Sequence, residues 1–264
     1  MLWKYHNPAY PAALRSCASC LFFSGEQDEE DRKAAGYVGS FIMLTLCFLH
    51  GFLGTKEDWD PIIRELETEF YCHAIDYAGL SLQQIKKQIH SLNPAPQFFI
   101  GYSMGGRILL NLKLSPCILF SSHPGLQTEQ ERQKRWESDL KWIEMLQSKS
   151  FSEFLEAWYA QELFVSLKEN KRLFETVLQR RKQQDAALLA QTLTLHSLAH
   201  DLPSSPAPET LFVYGEKDLK FQHLYLTLPS VVQIKKIEHA GHALHLENPK
   251  ACSALIRGFI HERT

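Results

Sequence analysis

A surplus of either charge is the first thing this sequence lacks: 28 Lys and Arg stand against 30 Asp and Glu, a formal net charge of −2 over 264 residues. No bulk positive field exists to hold nucleic acid or an anionic membrane, so a charged ligand has to be met locally. Long apolar runs are missing too. The strongest, Ser40 to Leu49, is ten residues, whereas a membrane-spanning helix takes about 20, and no targeting segment stands out behind Lys4. Cysteine is sparse at six, and Cys47, Cys72, Cys117 and Cys252 lie in apolar segments where a free thiol behaves as a small hydrophobe. That usage favours a reducing compartment, and a cytoplasmic protein is expected. Cys17 and Cys20 form a lone CxxC; without a second pair or neighbouring histidines it cannot complete a tetrahedral zinc shell, and no βαβ pattern surrounds it.

What is present is enough apolar material, 45% of the chain, for one domain or one domain plus a small cap. Residues 1–42 show no sustained period of 2 or 3.6 around Pro8, Pro11 and the acidic run Glu26 to Asp31. They read as a poorly ordered extension, either a surface arm or the product of a misassigned start upstream of Met43.

From Phe41 onward short apolar runs alternate with amphipathic patterns, the mark of βαβ units feeding a mostly parallel sheet. Strands are expected at Phe41 to Leu49, His73 to Asp76, Phe98 to Gly101, Cys117 to Ser121, Thr210 to Tyr214 and Val231 to Ile237. Helices are expected at Trp59 to Phe70, Ser81 to Leu92, Gly105 to Leu114 and Pro249 to His261. The fold class is therefore α/β, open and doubly wound. From Gln127 to His200 only helical periodicity appears, with apolar faces at Leu140, Ile143 and Leu146, at Phe154, Leu155 and Trp158, and at Leu188, Leu189, Leu193 and Leu195. This is expected to be a cap over residues 122–203, set between core segments 43–121 and 204–264, with Ser204 to Pro208 as the return linker.

The chemistry centres on Gly101-Tyr102-Ser103-Met104-Gly105, which follows a strand and opens a helix. That context makes GxSxG a nucleophile elbow, in which flanking glycines admit a sharp, strained turn. A serine at its free pKa is a poor nucleophile or base, so an imidazole and an orienting carboxylate must follow. Asp218, in Gly215-Glu216-Lys217-Asp218, and His242, in Ala240-Gly241-His242, stand in the order of an α/β-hydrolase triad. Glu216 is the alternative acid. His239, His242 and His245 also raise a metal site, but no acidic or cysteine ligand accompanies them and Gly241 disfavours a shared helix, so no metal is assigned. The oxyanion hole is expected from the backbone N–H groups of Met104 and of Phe52, in the loop His50-Gly51-Phe52-Leu53-Gly54. His50 is read as structural. Arg107, one helical turn after Ser103, either favours an anionic substrate or pairs with a surface carboxylate.

At these residues the chain resembles the MenH family, the α/β-hydrolase-fold 2-succinyl-6-hydroxy-2,4-cyclohexadiene-1-carboxylate synthases. The resemblance runs through Phe48 to Gly54 with Asp58-Trp59, Gly101 to Arg107, and His123-Pro124-Gly125-Leu126 with Glu131-Arg132 and Arg135. It continues through Ala157-Trp158-Tyr159 to Leu163-Phe164, Gly215 to Asp218 with Lys220-Phe221, and Ala240-Gly241-His242 to Pro249. It implies a carbon–oxygen lyase of menaquinone biosynthesis that eliminates pyruvate from 2-succinyl-5-enolpyruvyl-6-hydroxy-3-cyclohexene-1-carboxylate, with Ser103 as general base. No cofactor is implied.

The resemblance further assigns a small polycarboxylate substrate to Arg107, Arg135 and Arg181, with Tyr102 and Trp158 lining the pocket. Arg132 is the alternative to Arg135. Arg181, flanked by Arg180 and Lys182, also reads as a solvated helix face, and Trp158 as cap core. The chain departs from the family at Tyr77-Ala78-Gly79-Leu80-Ser81, where relatives carry a Pro-Gly-His-Gly type loop, so one pocket wall is expected to differ. A serine carboxylesterase or thioesterase is the alternative function. Neither a partner protein nor an oligomeric state is read from the sequence.

Overall fold

A computed structural model describes residues 43–203 and 206–264. The extension with its CxxC, Phe41 and Ile42 of the expected first strand, and Ser204 and Ser205 of the return linker lie outside the described residues. Six strands form one sheet: β1 Thr45–Leu49, β2 Tyr71–Ile75, β3 Phe98–Tyr102, β4 Cys117–Phe120, β5 Thr210–Gly215 and β6 Gln233–Ile237. Their order is β2-β1-β3-β4-β5-β6, and every neighbouring pair is parallel. Residues of β1, β3 and β4 are buried throughout, as expected where helices cover both faces. Edge strand β6 is mostly exposed and starts later than its apolar run; Val231 is 83% exposed and lies outside it.

The expected helix from Trp59 is shorter and composite. A 3-10 turn at Lys56–Trp59 leads into α1, Asp60–Leu66, whose Pro61 sits in the first turn, where a missing N–H costs nothing. Helix α2, Leu82–His90, starts at a Ser81/Gln84 capping box. Helix α3, Met104–Asn111, follows Ser103.

Between β4 and β5 the chain is helical: α4 Glu129–Ser148, α5 Phe151–Tyr159, α6 Val165–Glu169, α7 Lys171–Arg181 and α8 Ala186–Leu195, with α4 packed on α8. Thr128 with Glu131 and Ser150 with Glu153 form capping boxes at α4 and α5. The buried faces are narrower than the apolar pattern. Ile143, Leu146, Phe154, Leu155, Leu189 and Leu193 are buried, but Leu140, Leu188 and Leu195 face solvent. After β5 come α9 Leu219–Leu226, α10 Leu244–Glu247 and α11 Pro249–His261, the last packed on α1. Cys47, Cys117 and Cys252 are buried free thiols and Cys72 is partly buried; burial pushes the Cys47 and Cys72 thiols up to about 12, so they pack as hydrophobes.

Because β2 and β3 flank β1, the winding reverses there, opening a crevice at the carboxyl ends of β1 and β3. The insertion's return is fastened beside it. Arg107 on α3 is buried, donating to the Asp201 carboxylate and to the His196 carbonyl at 2.8 Å, while Asn111 donates to Asp201 at 2.7 Å. Arg107 thus meets a carboxylate, but a buried one 94 residues away in sequence and not the surface partner expected. Replacing Asp201 strands a buried guanidinium, so Asp201→Ala is expected to lower unfolding free energy by about 3–5 kcal/mol in urea melts. A loss below about 1 kcal/mol would mean water reaches Arg107.

Candidate active site

Strand β3 ends at Tyr102 and α3 begins at Met104, so Ser103 makes the whole turn, with φ 50° and ψ −110°. Few residues tolerate this backbone, and its neighbours explain how it persists. A Cβ on Gly101 would stand 2.5 Å from the Gly106 backbone, and one on Gly105 would collide with the carbonyl oxygens of Leu49 and His50. The Ser103 N–H donates to Phe120 O at 2.8 Å, holding the elbow to β4.

His242 and Asp218 arrive from the carboxyl ends of β6 and β5. The His242 Nδ1 lies 2.7 Å from Asp218 Oδ2, with both side chains buried. The same carboxylate accepts from Ser121 Oγ at 3.3 Å and, as the cap of α9, from the Phe221 N–H at 3.2 Å. These donors fix its orientation toward the imidazole. Glu216, the alternative acid, is instead on the surface with Lys236 and the His239 N–H. The three histidines part company: His239 is exposed, His242 meets Asp218, and His245 is buried between Trp59 and Tyr102, with ring centroids 4.9 and 4.1 Å away.

Ser103, His242, Tyr102, Phe52, Trp158 and Arg181 line one cavity of about 60 Å³. A second, of about 530 Å³, shares Leu163 and His242 with it. Ligand pockets usually need roughly 300–1,000 Å³, so a substituted ring requires the second space as well. Met104 opens α3, where its N–H has no partner within the helix. Phe52 lies in a turn closed by Gly54 N–H to Gly51 O at 2.9 Å, with Leu53 at φ 62°. The Gln184 side chain grips that turn, donating to Leu53 O at 2.5 Å. Trp158 packs on Phe154 and Trp142 and also lines the cavity, where it meets Phe52 edge-on at 4.9 Å.

The three arginines are placed differently from one another. Arg181 is buried in the cavity wall, with Nη1 and Nη2 3.1 and 2.5 Å from Asp58 and Nε 3.3 Å from Tyr159 Oη. It is no solvated helix face. Arg107 is engaged by Asp201, and Arg135 by both oxygens of Asp139 at 2.9 Å; neither is among the residues lining the two cavities beside Ser103. Arg132 pairs with Glu129 and the Leu126 carbonyl.

The Tyr77 to Ser81 loop is not among the residues lining those two cavities. Tyr77 is buried, donating to His50 O at 2.6 Å and stacking on the His50 ring, while Gly79 N–H donates to Thr192 Oγ1 at 2.7 Å. His50 is a structural residue, its Nδ1 2.8 Å from Gly51 O.

Sequence reasoning missed Asp58, Arg180, His245 and Ser121. Asp58 stood in the quoted Asp58-Trp59 pair, but its partner Arg181 is 123 positions away, and no spacing rule spans that distance. Burial alone raises the Asp58 carboxyl; the charge and hydrogen bonds of Arg181, with the charge of Arg180, overcome it and hold Asp58 below the ordinary range. Burial lowers His245 to about 3, keeping it neutral.

Compared with known proteins, residues 48–255 match the alpha/beta hydrolase family. A protein of Klebsiella pneumoniae subsp. pneumoniae named 2-succinyl-6-hydroxy-2,4-cyclohexadiene-1-carboxylate synthase is 32% identical over 235 residues, 80% of this chain and 91% of that one. A synthase of the same name from Enterobacter sp. is 31% identical over 248 residues, 83% and 92% of the two chains. The solved structure of MenH from S. aureus shares the fold, with TM-score 0.71 at 23% identity over 83% of this chain and 94% of that chain.

The buried His245 makes a pH prediction. Its folded-state pKa, about 3, lies below the ordinary 6.5, so in that interval the unfolded chain binds a proton the native one refuses. Stability is therefore expected to fall as pH drops from about 6.5 toward about 3. In paired urea melts His245→Phe should flatten that slope; parallel slopes would place His245 in contact with water.

Proposed function

Because this chain belongs to the alpha/beta hydrolase family and, within it, to the 2-succinyl-6-hydroxy-2,4-cyclohexadiene-1-carboxylate synthases, we propose that Ser103, His242 and Asp218 act as its general-base machinery. The reaction is the elimination of pyruvate from 2-succinyl-5-enolpyruvyl-6-hydroxy-3-cyclohexene-1-carboxylate. The observation that carries this reading is a His242–Asp218 pair at 2.7 Å sharing a cavity wall, through His242, with Ser103 and a buried guanidinium. An ester hydrolase has no need of that cation; a polycarboxylate has.

His242 takes the Ser103 hydroxyl proton, and the serine oxygen removes a ring proton from the substrate. The electron pair released moves through the ring to form the conjugated diene as the bond to the enolpyruvyl oxygen breaks. The departing enolate takes the proton that His242 had accepted, giving pyruvate and returning the imidazole to its neutral form. Negative charge developing on the succinyl carbonyl oxygen is met by the N–H groups of Phe52 and Met104. Asp218 holds the imidazole in the tautomer that presents a free nitrogen to the serine. Arg181 receives a substrate carboxylate, with Tyr102 and Trp158 packing against the ring. Arg107 and Arg135, tied to their aspartates, organise the surrounding helices. The helical insertion acts as the cap over this site. Four free thiols suit a reducing compartment, and the cytoplasm is the proposed location.

The test is pyruvate release from the enolpyruvyl cyclohexene substrate, followed by a coupled dehydrogenase beside a p-nitrophenyl ester control. Ser103→Ala and Asp218→Asn are each expected to lower kcat by on the order of 10²–10⁴-fold with little change in KM. Ester cleavage without pyruvate release would make the protein a carboxylesterase on the same scaffold.

A further inference from the structure

Each arginine that the family resemblance assigns to substrate has an aspartate of its own: Arg107 has Asp201, Arg135 has Asp139 and Arg181 has Asp58. A guanidinium cancelled one-to-one offers an incoming carboxylate hydrogen bonds but little net field. The Asp58 corner is different. Arg180 also reaches Asp58, with Nη1 3.2 Å from Oδ1, and donates to the Glu57 carbonyl at 2.7 Å. Its Nε is buried and, among the described residues, has no hydrogen-bond partner.

Two ionisable side chains packed at this corner add no charge. His245 stays neutral because burial holds it near 3, and burial keeps the Tyr159 phenol protonated. The triad's carboxylate, Asp218, is turned to the far nitrogen side of His242 and does not line the smaller cavity. One carboxylate therefore faces two guanidiniums, and one positive charge is left over beside Ser103.

We propose that Arg180 is a positioning residue for the synthase reaction: by sharing Asp58 it leaves Arg181 with an uncancelled positive charge facing a substrate carboxylate in the triad cavity. The inference rests on the proposed function for the identity of that anion. Its sign is definite. Without Arg180 the Asp58–Arg181 pair is neutral, so anion binding weakens while the triad is untouched. Removing Asp58 would instead raise the local charge and loosen Arg181 at once, two opposed effects, so Arg180 is the side chain to change.

The experiment measures Kd for the enolpyruvyl cyclohexene tricarboxylate by calorimetry in a Ser103→Ala background, and KM and kcat by pyruvate release otherwise. Arg180→Gln is expected to weaken Kd and KM by about tenfold with kcat within about twofold, and the loss should shrink as salt rises from about 0.05 to about 0.5 M. Arg180→Lys, which restores charge without the planar fork, should recover most of the affinity. If Arg180 merely latches α7 to the Glu57 carbonyl, Gln and Lys variants will melt lower alike with Kd unmoved, and the proposal is overturned. Should Arg180→Gln not fold, Arg180→Met, which keeps the apolar stem and removes the charge, takes its place: a loss of affinity of about tenfold that shrinks with salt supports the proposal, and a Kd within about twofold of wild type overturns it. A wild type that binds the tricarboxylate without releasing pyruvate refutes the lyase reading alone, since the Kd ratio still judges Arg180. No binding to the Ser103→Ala protein refutes both.

Discussion

Ser103 is held at φ 50° and ψ −110°, a conformation worth on the order of 1–3 kcal/mol of strain, and the surrounding sheet is arranged so that it cannot relax. Gly101 and Gly105 let the elbow sit against Gly106 and the end of β1, and the serine N–H is spent on Phe120. Once that hydroxyl is fixed at the crevice between β1 and β3, the other parts follow from strand order. The Phe52 turn leaves β1, Asp218 leaves β5, and His242 leaves β6, all at the carboxyl edge. The parallel sheet brings chain segments more than 100 residues apart to one side of the molecule without any of them contacting another in sequence.

A second constraint is the cost of burying guanidinium groups. Arg107 and Arg181 are each almost wholly buried, and a buried charge persists only when paired and hydrogen-bonded. Their aspartates come from distant segments, so each pair also stitches the helical insertion to the sheet. Arg107 on α3 holds Asp201 on the return path, and Arg181 at the end of α7 holds Asp58 beneath the Phe52 turn. Asp139 plays the same part inside the insertion, binding both Arg135 and the Ser197 hydroxyl at 2.6 Å. Of these arginines only Arg181 also lines the cavity beside Ser103, so the contact that puts a guanidinium there is one that ties the helical insertion to Asp58, with the Gln184 hold on Leu53 nearby.

Much of this was legible in the chain. Continuous apolar runs marked β1, β3 and β4 because strands covered on both faces have no polar side to betray a register. The elbow was legible because its glycines are demanded by local geometry, and the Ser, Asp, His order because strand order dictates it. Legibility ended where burial depends on what packs opposite. Leu140, Leu188 and Val231 fit an apolar pattern and are exposed, since periodicity reports which face a helix could bury and not how wide its neighbour is. The Tyr77 loop stood out only as a departure from the family pattern, and that its phenol donates to the His50 carbonyl was not legible.

The sequence by itself determined the alternation of strands and helices, the strained serine, the paired His242 and Asp218, and the helical character of the segment between β4 and β5, because each is written in spacing of under about ten residues or in chain order. Only the tertiary structure decided which arginine enters the triad cavity, which aspartate each one meets, and that Asp58 carries two of them. For Arg107 and Arg181 those outcomes depend on through-space pairing of buried charges between segments 94 and 123 positions apart, a separation that no local pattern encodes.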